Sequence, residues 1–203
     1  MPVAIGVKLG QKNLPTAICV VDSKWRRPSS APGRESHFVV RHVERLPAGT
    51  SFPESAEVLD RLHTGARSKA GYRPRIFVDA TGLGSPILEL LSAKVGWIVG
   101  VYFNHGDRRL EDSSADEIRL GKAWLIARLQ TLLQTQRLHL PKGKDFQSLA
   151  QDLCDYQIEV TPDANDRYGA FKVGSQDEVV TALGLAVQTD PPTPTRRHRY
   201  LCT

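Results

Sequence analysis

The chain lacks the features that mark secreted and membrane proteins. Among its 203 residues there are three cysteines, Cys19, Cys154 and Cys202. Their odd number and wide spacing argue against a disulfide framework and a cysteine-based zinc site, and they fit a reducing compartment. No apolar run approaches the roughly 18 residues that span a bilayer, and no charged segment leads into an apolar stretch at the N-terminus. We therefore expect a cytoplasmic protein with no membrane span and no secretory signal.

Acidic residues are outnumbered by basic ones, 22 against 27, which gives a net charge of +5 and a pI of about 9.2. A mildly basic balance suits a nucleic-acid partner without requiring one. The basic residues cluster in a Pro/Ser/Gly-rich stretch and in the tail: Lys24, Arg26, Arg27 and Arg34, then Arg196, Arg197 and Arg199. One interpretation is a solvated loop and tail. The other is two cationic segments that contact phosphates.

Hydrophobic periodicity divides the chain into strands and helices. It predicts strands at 3–9, 16–22 and 37–46, a helix at 51–68, a strand at 76–78, a helix at 86–94, a strand at 97–103, a helix at 116–136, a short strand at 137–140, a helix at 145–156, a hairpin at 158–160 and 168–173, and a helix at 178–188. The stretches at 24–35 and 104–115 have loop composition. A three-strand meander followed by β-α-β is typical of a ribonuclease-H-like layout, a mixed five-stranded sheet with helices on both faces. We expect one such domain over 1–189 and a basic, Pro-rich tail without a core over 190–203.

The best candidate for a functional carboxylate is Asp79. It ends the buried strand at 76–78 and precedes Thr81-Gly82-Leu83-Gly84, where a ligand can approach the backbone closely. In open α/β sheets, ligands bind at this carboxyl end of the strands. Asp79 would therefore be a metal ligand, or it would cap the next helix or order the turn. The two glycines do not make a dinucleotide fingerprint, because Ile87 stands where a third glycine is needed.

Two further acidic residues, Asp177 and Glu178, open the last predicted helix. The helix dipole favours acids on a first helical turn, which is one explanation for them. The other is that they bind a metal ion at the sheet. The sequence that follows, Val-Val-Thr-Ala-Leu-Gly-Leu-Ala, is small and apolar on nearly every face, as a helix packed flat on a sheet must be. Asp177 is the first choice of the pair.

The segments at 3–10, 73–84 and 174–187 together resemble the nuclease domain of phage terminase large subunits, a ribonuclease-H-like family. A lysine-led helix at Lys122 that runs into Arg137-Leu138-His139-Leu140-Pro141 resembles it as well. So does the segment 149–153, although Glu is more usual there than Asp152. The resemblance extends over residues 2–188.

This resemblance implies metal-dependent hydrolysis of DNA. Such chemistry needs carboxylates on rigid supports to hold one or two Mg²⁺ or Mn²⁺ ions. The implied catalytic residues are Asp79, Asp177 and Glu178, with Asp79 and Asp177 as metal ligands.

The chain departs from the family at Lys8, which stands at the end of the first strand where the family has Asp. The turn after it, Lys12-Asn13-Leu14-Pro15, contains no acid either. An ammonium about 4 Å from a divalent ion would repel it by about 8 kcal/mol at an effective dielectric of 20. Asp22 does not replace the missing carboxylate, because in a hairpin it would lie beside the start of the first strand. We predict that two-metal catalysis is impaired or absent and that Lys8 forms a salt bridge with Asp79 or Asp177.

Three functions remain open at this point. The first is a terminase-nuclease-like DNA-processing protein in which hydrolysis is impaired, a divalent ion is needed only if the site is active, and Lys122 and the basic residues of the 24–34 stretch face phosphates. The second is a non-catalytic module that binds nucleic acid or acts as a scaffold in a phage-derived assembly. A third interpretation is an unrelated α/β enzyme that binds a phosphate ligand with the 81–85 loop. Because the sequence has no Gly-x-x-x-x-Gly-Lys-Ser/Thr segment, we expect any packaging ATPase to be a separate phage protein.

Overall fold

A computed structural model of the protein describes residues 2–10, 13–27, 33–104, 106–159, 167–169, 177–188 and 190–191. The elements in chain order are β1 Val3–Lys8, β2 Thr16–Arg26, β3 Glu35–Leu46, α1 Phe52–Ala70, β4 Arg75–Asp79, α2 Ser85–Val95, β5 Val99–Asn104, β6 Arg109–Asp112, β7 Glu117–Gly121, α3 Lys122–Gln134, β8 Leu138–His139, α4 Lys144–Asp155, β9 Gln157–Glu159, β10 Arg167–Gly169 and α5 Glu178–Ala186. The predicted tail beyond residue 191 lies outside the described residues.

One mixed sheet of eight strands organises the fold, in the order β6-β7-β5-β4-β1-β2-β3-β8. β1, β2 and β3 form the predicted antiparallel meander, and β1, β4, β5 and β7 run parallel. β9 and β10 form the small antiparallel hairpin, the turn of which lies outside the described residues. The predicted mixed sheet is therefore confirmed. The count of five strands was wrong, because β6 and β7 extend one edge and β8 extends the other.

Helices cover both faces of the sheet, as the sequence predicts. α1 and α2 pack on one face, where Leu59 and Leu91 are fully buried against the apolar side chains of β1 and β4. α3, α4 and α5 pack on the other, around Leu132, Leu149 and Leu183. α1 begins at the predicted cap, where Ser51 and Glu54 satisfy each other's backbone N–H groups. Within the described ranges, no helix has the length and apolar character needed to cross a membrane.

The sequence interpretation fails in the segment 104–121. The predicted loop at 104–115 contains β6, and the predicted helix at 116–136 begins only at Lys122. Residues 117–121 form β7, in which Ile118 and Leu120 are buried while Arg119 between them is exposed. This alternation is a strand pattern. Ile118 also lies seven residues before Leu125, a spacing that fits a helix equally well, and this coincidence misled the helical assignment.

The second correction concerns the basic stretch at 24–35. β2 continues to Arg26 and β3 begins at Glu35, and these two residues are paired across the hairpin. Lys24 and Arg26 therefore lie on a strand, Arg27 directly follows β2 and Arg34 directly precedes β3. Polar composition suggested a longer loop, but the continuing ladder of backbone hydrogen bonds with β3 keeps these residues in the sheet.

Candidate functional site

The carboxyl edge of the sheet brings Lys8 and Asp79 into direct contact. β1 and β4 are parallel neighbours with Val7 opposite Val78, so their last residues lie side by side. The Lys8 Nζ to Asp79 Oδ2 distance is 2.5 Å. Asp79 is almost fully buried, with 2% of its side chain exposed, whereas 27% of the Lys8 side chain is exposed. The salt bridge suggested by the sequence is therefore present, and its acidic partner is Asp79.

Asp79 also orders the turn that follows β4. Its second oxygen, Oδ1, accepts a hydrogen bond from the backbone N–H of Thr81 at 3.0 Å. The Thr81 hydroxyl in turn accepts from the backbone N–H of Phe103 at 2.8 Å, which ties this turn to β5. Asp79 does not cap α2, because the N-cap of that helix is Gly84. Both oxygens of Asp79 are thus occupied by partners within the protein.

Glu178 and Asp177 reach the same edge from α5. α5 can lie close to β1 because Gly6 has no side chain: a Cβ there would lie 1.9 Å from the backbone oxygen of Ala182. Glu178 is buried, and its Oε2 atom has no hydrogen-bond partner among the described residues. Asp177 is the N-cap residue, and its side chain forms no capping hydrogen bond.

The electrostatics of Glu178 link it to Lys8. Burial raises the pKa of Glu178, and the neighbouring charge of Asp177 raises it further, while the charges of Lys8 and Arg45 lower it. Lys8 therefore acts on two carboxyl groups, Asp79 by direct contact and Glu178 through its field. Of the two acids at the start of α5, Glu178 is the one buried beside these cations.

A second cation lies at this edge, Arg45, which the sequence did not predict. Lys8 on β1 is paired with Ala17 on β2, and Ala17 is paired with Arg45 on β3. Residues paired in this way share one face of a sheet, so Lys8 and Arg45 lie in one row, about 10 Å apart. Arg45 forms an ion pair with Asp152 of α4. This placement could have been predicted by following the strand pairing from Lys8 on β1 through Ala17 on β2 to the opposite residue on β3.

The predicted phosphate-binding residues fall into two separate groups. Lys122 follows β7 at the carboxyl edge, with its ammonium 5.8 Å from the centre of the Phe103 ring. The other four residues lie where β2 ends and β3 begins. In that hairpin Asp22 is paired with Val3, so the residues after Asp22 lie beyond the start of β1. The prediction that Asp22 lies far from Lys8 is confirmed, and the basic hairpin lies at the opposite end of the sheet from Asp79.

The carboxylates at this edge do not fit a divalent-metal site. One oxygen of Asp79 is taken by the Lys8 ammonium and the other by a backbone N–H. In the part of the chain that the structure describes, no group of three or more His, Cys, Asp or Glu side chains is arranged to hold a metal ion. An ammonium and a divalent ion would compete for the same carboxylate and repel each other. The Lys8 ammonium therefore lies beside the Asp79 carboxylate, where a bound cation would have to approach it.

Glu178→Gln is expected to stabilise the protein near neutral pH. Because burial raises the pKa of Glu178 above its ordinary value of 4.5, the folded protein binds this proton more tightly than the unfolded chain does. The stability linked to this group is fully present below the unfolded pKa and is lost as the pH rises through the raised value. Glutamine imitates the protonated carboxyl, so the gain in Tm should be large near neutral pH and vanish in acid.

Thermal unfolding of the unaltered protein and of Glu178→Gln, from acidic to neutral pH, measures the effect. Glu89→Gln is a matched control, because Glu89 is exposed on α2, and it should change the Tm little. A gain for Glu178→Gln that is equal at all pH values would contradict the assignment, since it would show that the titration of Glu178 is not involved.

The sheet order and the helices on both faces define a ribonuclease-H-like α/β fold. Solved structures that share it include terminase nuclease domains. The large terminase nuclease from thermophilic phage G20c matches with a TM-score of 0.64 at 19% identity, over 94% of this chain and 83% of that one. The large terminase nuclease domain of Thermus phage P74-26 matches with a TM-score of 0.59 at 16% identity, over 95% and 82%. The human cytomegalovirus terminase nuclease domain matches with a TM-score of 0.58 at 12% identity, over 91% and 81%.

The chain therefore has the fold of terminase nuclease domains, which confirms the resemblance at the level of the fold. No protein-family model and no curated protein matches the sequence. The G20c nuclease has been solved with bound magnesium and with bound cobalt, and the nuclease domain of the large terminase from bacteriophage SPP1 with bound manganese. These ions were found in those structures. In this chain the carboxyl edge has the Lys8–Asp79 ion pair.

Proposed function

We propose that this chain is a terminase-nuclease-like DNA-processing protein that keeps contact with DNA and in which Lys8 impairs hydrolysis. The observation that carries the proposal is the Lys8–Asp79 ion pair, with its 2.5 Å separation between nitrogen and oxygen. The lysine ammonium supplies the positive charge that would otherwise have to come from a divalent ion beside a buried carboxylate. The carboxyl edge is then stable without Mg²⁺ or Mn²⁺.

Contact with DNA at this edge would be made through cations. Lys8 is partly exposed beside Asp79, and Lys122 lies at the same edge of the sheet against Phe103. Such residues bind phosphates without reading sequence, and they bind more weakly as salt rises. A separate packaging ATPase or another phage protein in the cytoplasm of the host is the partner that fits this proposal.

The proposal predicts salt-sensitive binding of DNA without cleavage. Supercoiled plasmid incubated with the unaltered protein and Mg²⁺ or Mn²⁺ should stay intact, while fluorescence anisotropy should detect binding of a labelled duplex. Lys122→Gln should weaken binding on the order of tenfold near 0.1 M salt and reduce the slope of log K against log salt by about 0.9, the value for one phosphate contact. Lys142→Gln removes the same charge from an exposed position before α4 and serves as the control.

Each outcome decides between the functions that the sequence left open. Cleavage by the unaltered protein that is abolished by Asp79→Ala would make the chain a working nuclease and overturn the role of Lys8. Absence of DNA binding at any salt concentration would favour a protein scaffold. Equal effects of Lys122→Gln and Lys142→Gln would remove Lys122 from the interface.

A further inference from the structure

A basic pocket lies where β2 ends and β3 begins. Its volume is about 500 Å³. Four cationic side chains, an indole and two prolines line it, and the residues that matter here are Lys24, Trp25, Arg26, Arg27, Arg34 and Pro191. We call it the hairpin pocket. Four cations around one concave surface form a concentrated positive site, whereas the +5 net charge of the whole chain is modest.

The hairpin pocket is far from the Lys8–Asp79 pair. Lys8 is paired with Ala17 on β2, and Lys24 lies seven residues further along the same strand. At about 3.3 Å per residue, the two positions are separated by roughly 23 Å along the sheet. A single phosphate cannot touch both, so the cations of the hairpin have no direct role in whatever happens at Asp79.

The positive charge of the hairpin pocket is not neutralised by described acidic residues. No ion pair joins Lys24, Arg26, Arg27 or Arg34 to an acid within the described ranges. Glu35 is paired with Arg26 in the register of the hairpin, but its Oε1 atom lies 3.2 Å from Nε2 of His37. The one carboxylate on this part of the hairpin is therefore engaged by a histidine.

The positive charge of the hairpin pocket affects the pKa of a nearby histidine, His139. Nδ1 of His37 and Nε2 of His139 are 2.9 Å apart, and one ring must be neutral for the two nitrogens to share a proton. Burial lowers the pKa of His139, and the charges of His37, Arg26 and Lys24 lower it further. The field of Lys24 and Arg26 thus extends to β8, as expected for cations that form no ion pair with an acid among the described residues.

The pocket is also held in shape by contacts behind it. Ser36 donates a hydrogen bond to Asp190 at 2.7 Å, and Arg128 of α3 contacts the same carboxylate at 3.0 Å. These bonds fix the chain after α5 against the hairpin and place Pro191 at the wall of the pocket. The guanidinium of Arg128 also lies 5.5 Å from the centre of the Phe38 ring. The wall of the pocket is therefore tied to the sheet and to α3.

We propose that the hairpin pocket binds the phosphate backbone of DNA at a second site, separate from the carboxyl edge. Four cations that form no ion pair with a described acid, grouped around one concave surface, suit a phosphodiester strand, because cations bind phosphates. The inference shares with the proposed function only the assumption that DNA is the partner. It does not depend on whether the Lys8 edge binds metal or cuts DNA.

The test is a salt titration of DNA binding by the unaltered protein and by Lys24→Gln/Arg26→Gln. Loss of two phosphate contacts should weaken binding on the order of tenfold per contact near 0.1 M salt and reduce the slope of log K against log salt by up to about 1.8. The double variant Lys142→Gln/Lys144→Gln removes the same charge elsewhere and should have a much smaller effect. Arg27→Gln/Arg34→Gln is the second hairpin variant, and thermal unfolding verifies that each variant is folded.

Two further arms distinguish this site from others. The weakening factors of Lys122→Gln and of Lys24→Gln/Arg26→Gln should multiply in the combined variant, because the two groups lie at opposite ends of the sheet. Inorganic phosphate, compared with chloride at equal ionic strength, should displace DNA no better than chloride does. Equal binding by both hairpin variants and the unaltered protein would overturn the proposal. So would specific displacement by inorganic phosphate, which would mark the pocket as a site for a small anion. If only the Lys122 variant weakened binding, the hairpin inference would fail while the proposed function stood.

Discussion

Lys8→Asp is expected to create a divalent-metal site at the carboxyl edge. The substitution removes the ammonium that contacts Asp79 and adds a carboxylate on the neighbouring strand, at a position whose charge acts on Glu178. Relief of a repulsion of about 8 kcal/mol corresponds to a gain in affinity for Mn²⁺ on the order of 10⁵-fold or more, because each step of about 1.4 kcal/mol is a factor of ten. Calorimetric titration with Mn²⁺ measures this gain directly.

The same variant should also become dependent on metal for its stability. Without metal, the new carboxylate faces the buried carboxylate of Asp79, and like charges at this distance destabilise the folded state. Mn²⁺ should therefore raise the Tm of Lys8→Asp and leave that of the unaltered protein nearly unchanged. The control is Lys8→Gln, which removes the ammonium without adding a ligand. It should be destabilised by about 3–5 kcal/mol, because it leaves Asp79 buried and unpaired, and Mn²⁺ should rescue it less.

Plasmid cleavage then tests whether the rest of the nuclease site is intact. If Lys8→Asp cuts DNA in Mn²⁺ and the added change Asp79→Ala abolishes cutting, a single residue silences an otherwise complete site. If Lys8→Asp gains neither metal affinity nor a metal-dependent Tm, the assignment of Asp79, Asp177 and Glu178 to a remnant site is wrong.

Gly6→Ala is expected to disrupt the packing of α5 on the sheet. A Cβ at Gly6 would lie 1.9 Å from the carbonyl oxygen of Ala182 and 2.6 Å from the backbone nitrogen of Ala186. Both atoms are backbone, so the clash can be relieved only by a shift of the helix or the strand. We expect a loss in the free energy of unfolding of about 3 kcal/mol or more, at the upper end for overpacked cores.

Gly65→Ala is the matched control for this change. Gly65 lies on α1, and a Cβ there would meet no atom within 4 Å. Alanine in a helix interior should stabilise the protein by about 0.5–1 kcal/mol. Urea unfolding of the two variants should therefore give changes of opposite sign. A Gly6→Ala protein as stable as the original would contradict the close approach of α5 to β1, and with it the placement of Glu178 beside Lys8.

The sequence predicts those parts of the fold in which local pattern and tertiary environment agree. The apolar strand before Asp79, the capping box at Ser51 and the small, apolar α5 are each determined by a few neighbouring residues, and all three were predicted. β7 was missed because Ile118 fits two periodicities, and only its pairing with β5 decides between them. Local sequence cannot resolve such a case, since the deciding partner lies on another strand.

The candidate site was predictable to a similar extent. Asp79 and Lys8 were found because each ends a recognisable strand, and their contact follows from the parallel register of β1 and β4. Arg45 was missed because its role depends on the pairing of three strands and on an ion pair with Asp152. Lys122 and the hairpin cations lie at opposite ends of the sheet because of the directions of their strands. Amino-acid composition contains no information on strand direction, so this separation was not predicted.

The anchoring of Asp190 to Ser36 and Arg128 determines how the protein can be mounted for experiments. The described chain reaches Pro191 beside the hairpin pocket, at the end of the sheet opposite Lys8. A biotin or solid support coupled directly after Pro191 would therefore hold the hairpin pocket toward the surface and leave the Lys8 edge facing the solution. Binding curves from such a sensor would underestimate DNA binding by the hairpin pocket. Attachment through the exposed Cys154 of α4 would place the linker away from the pocket wall at Pro191.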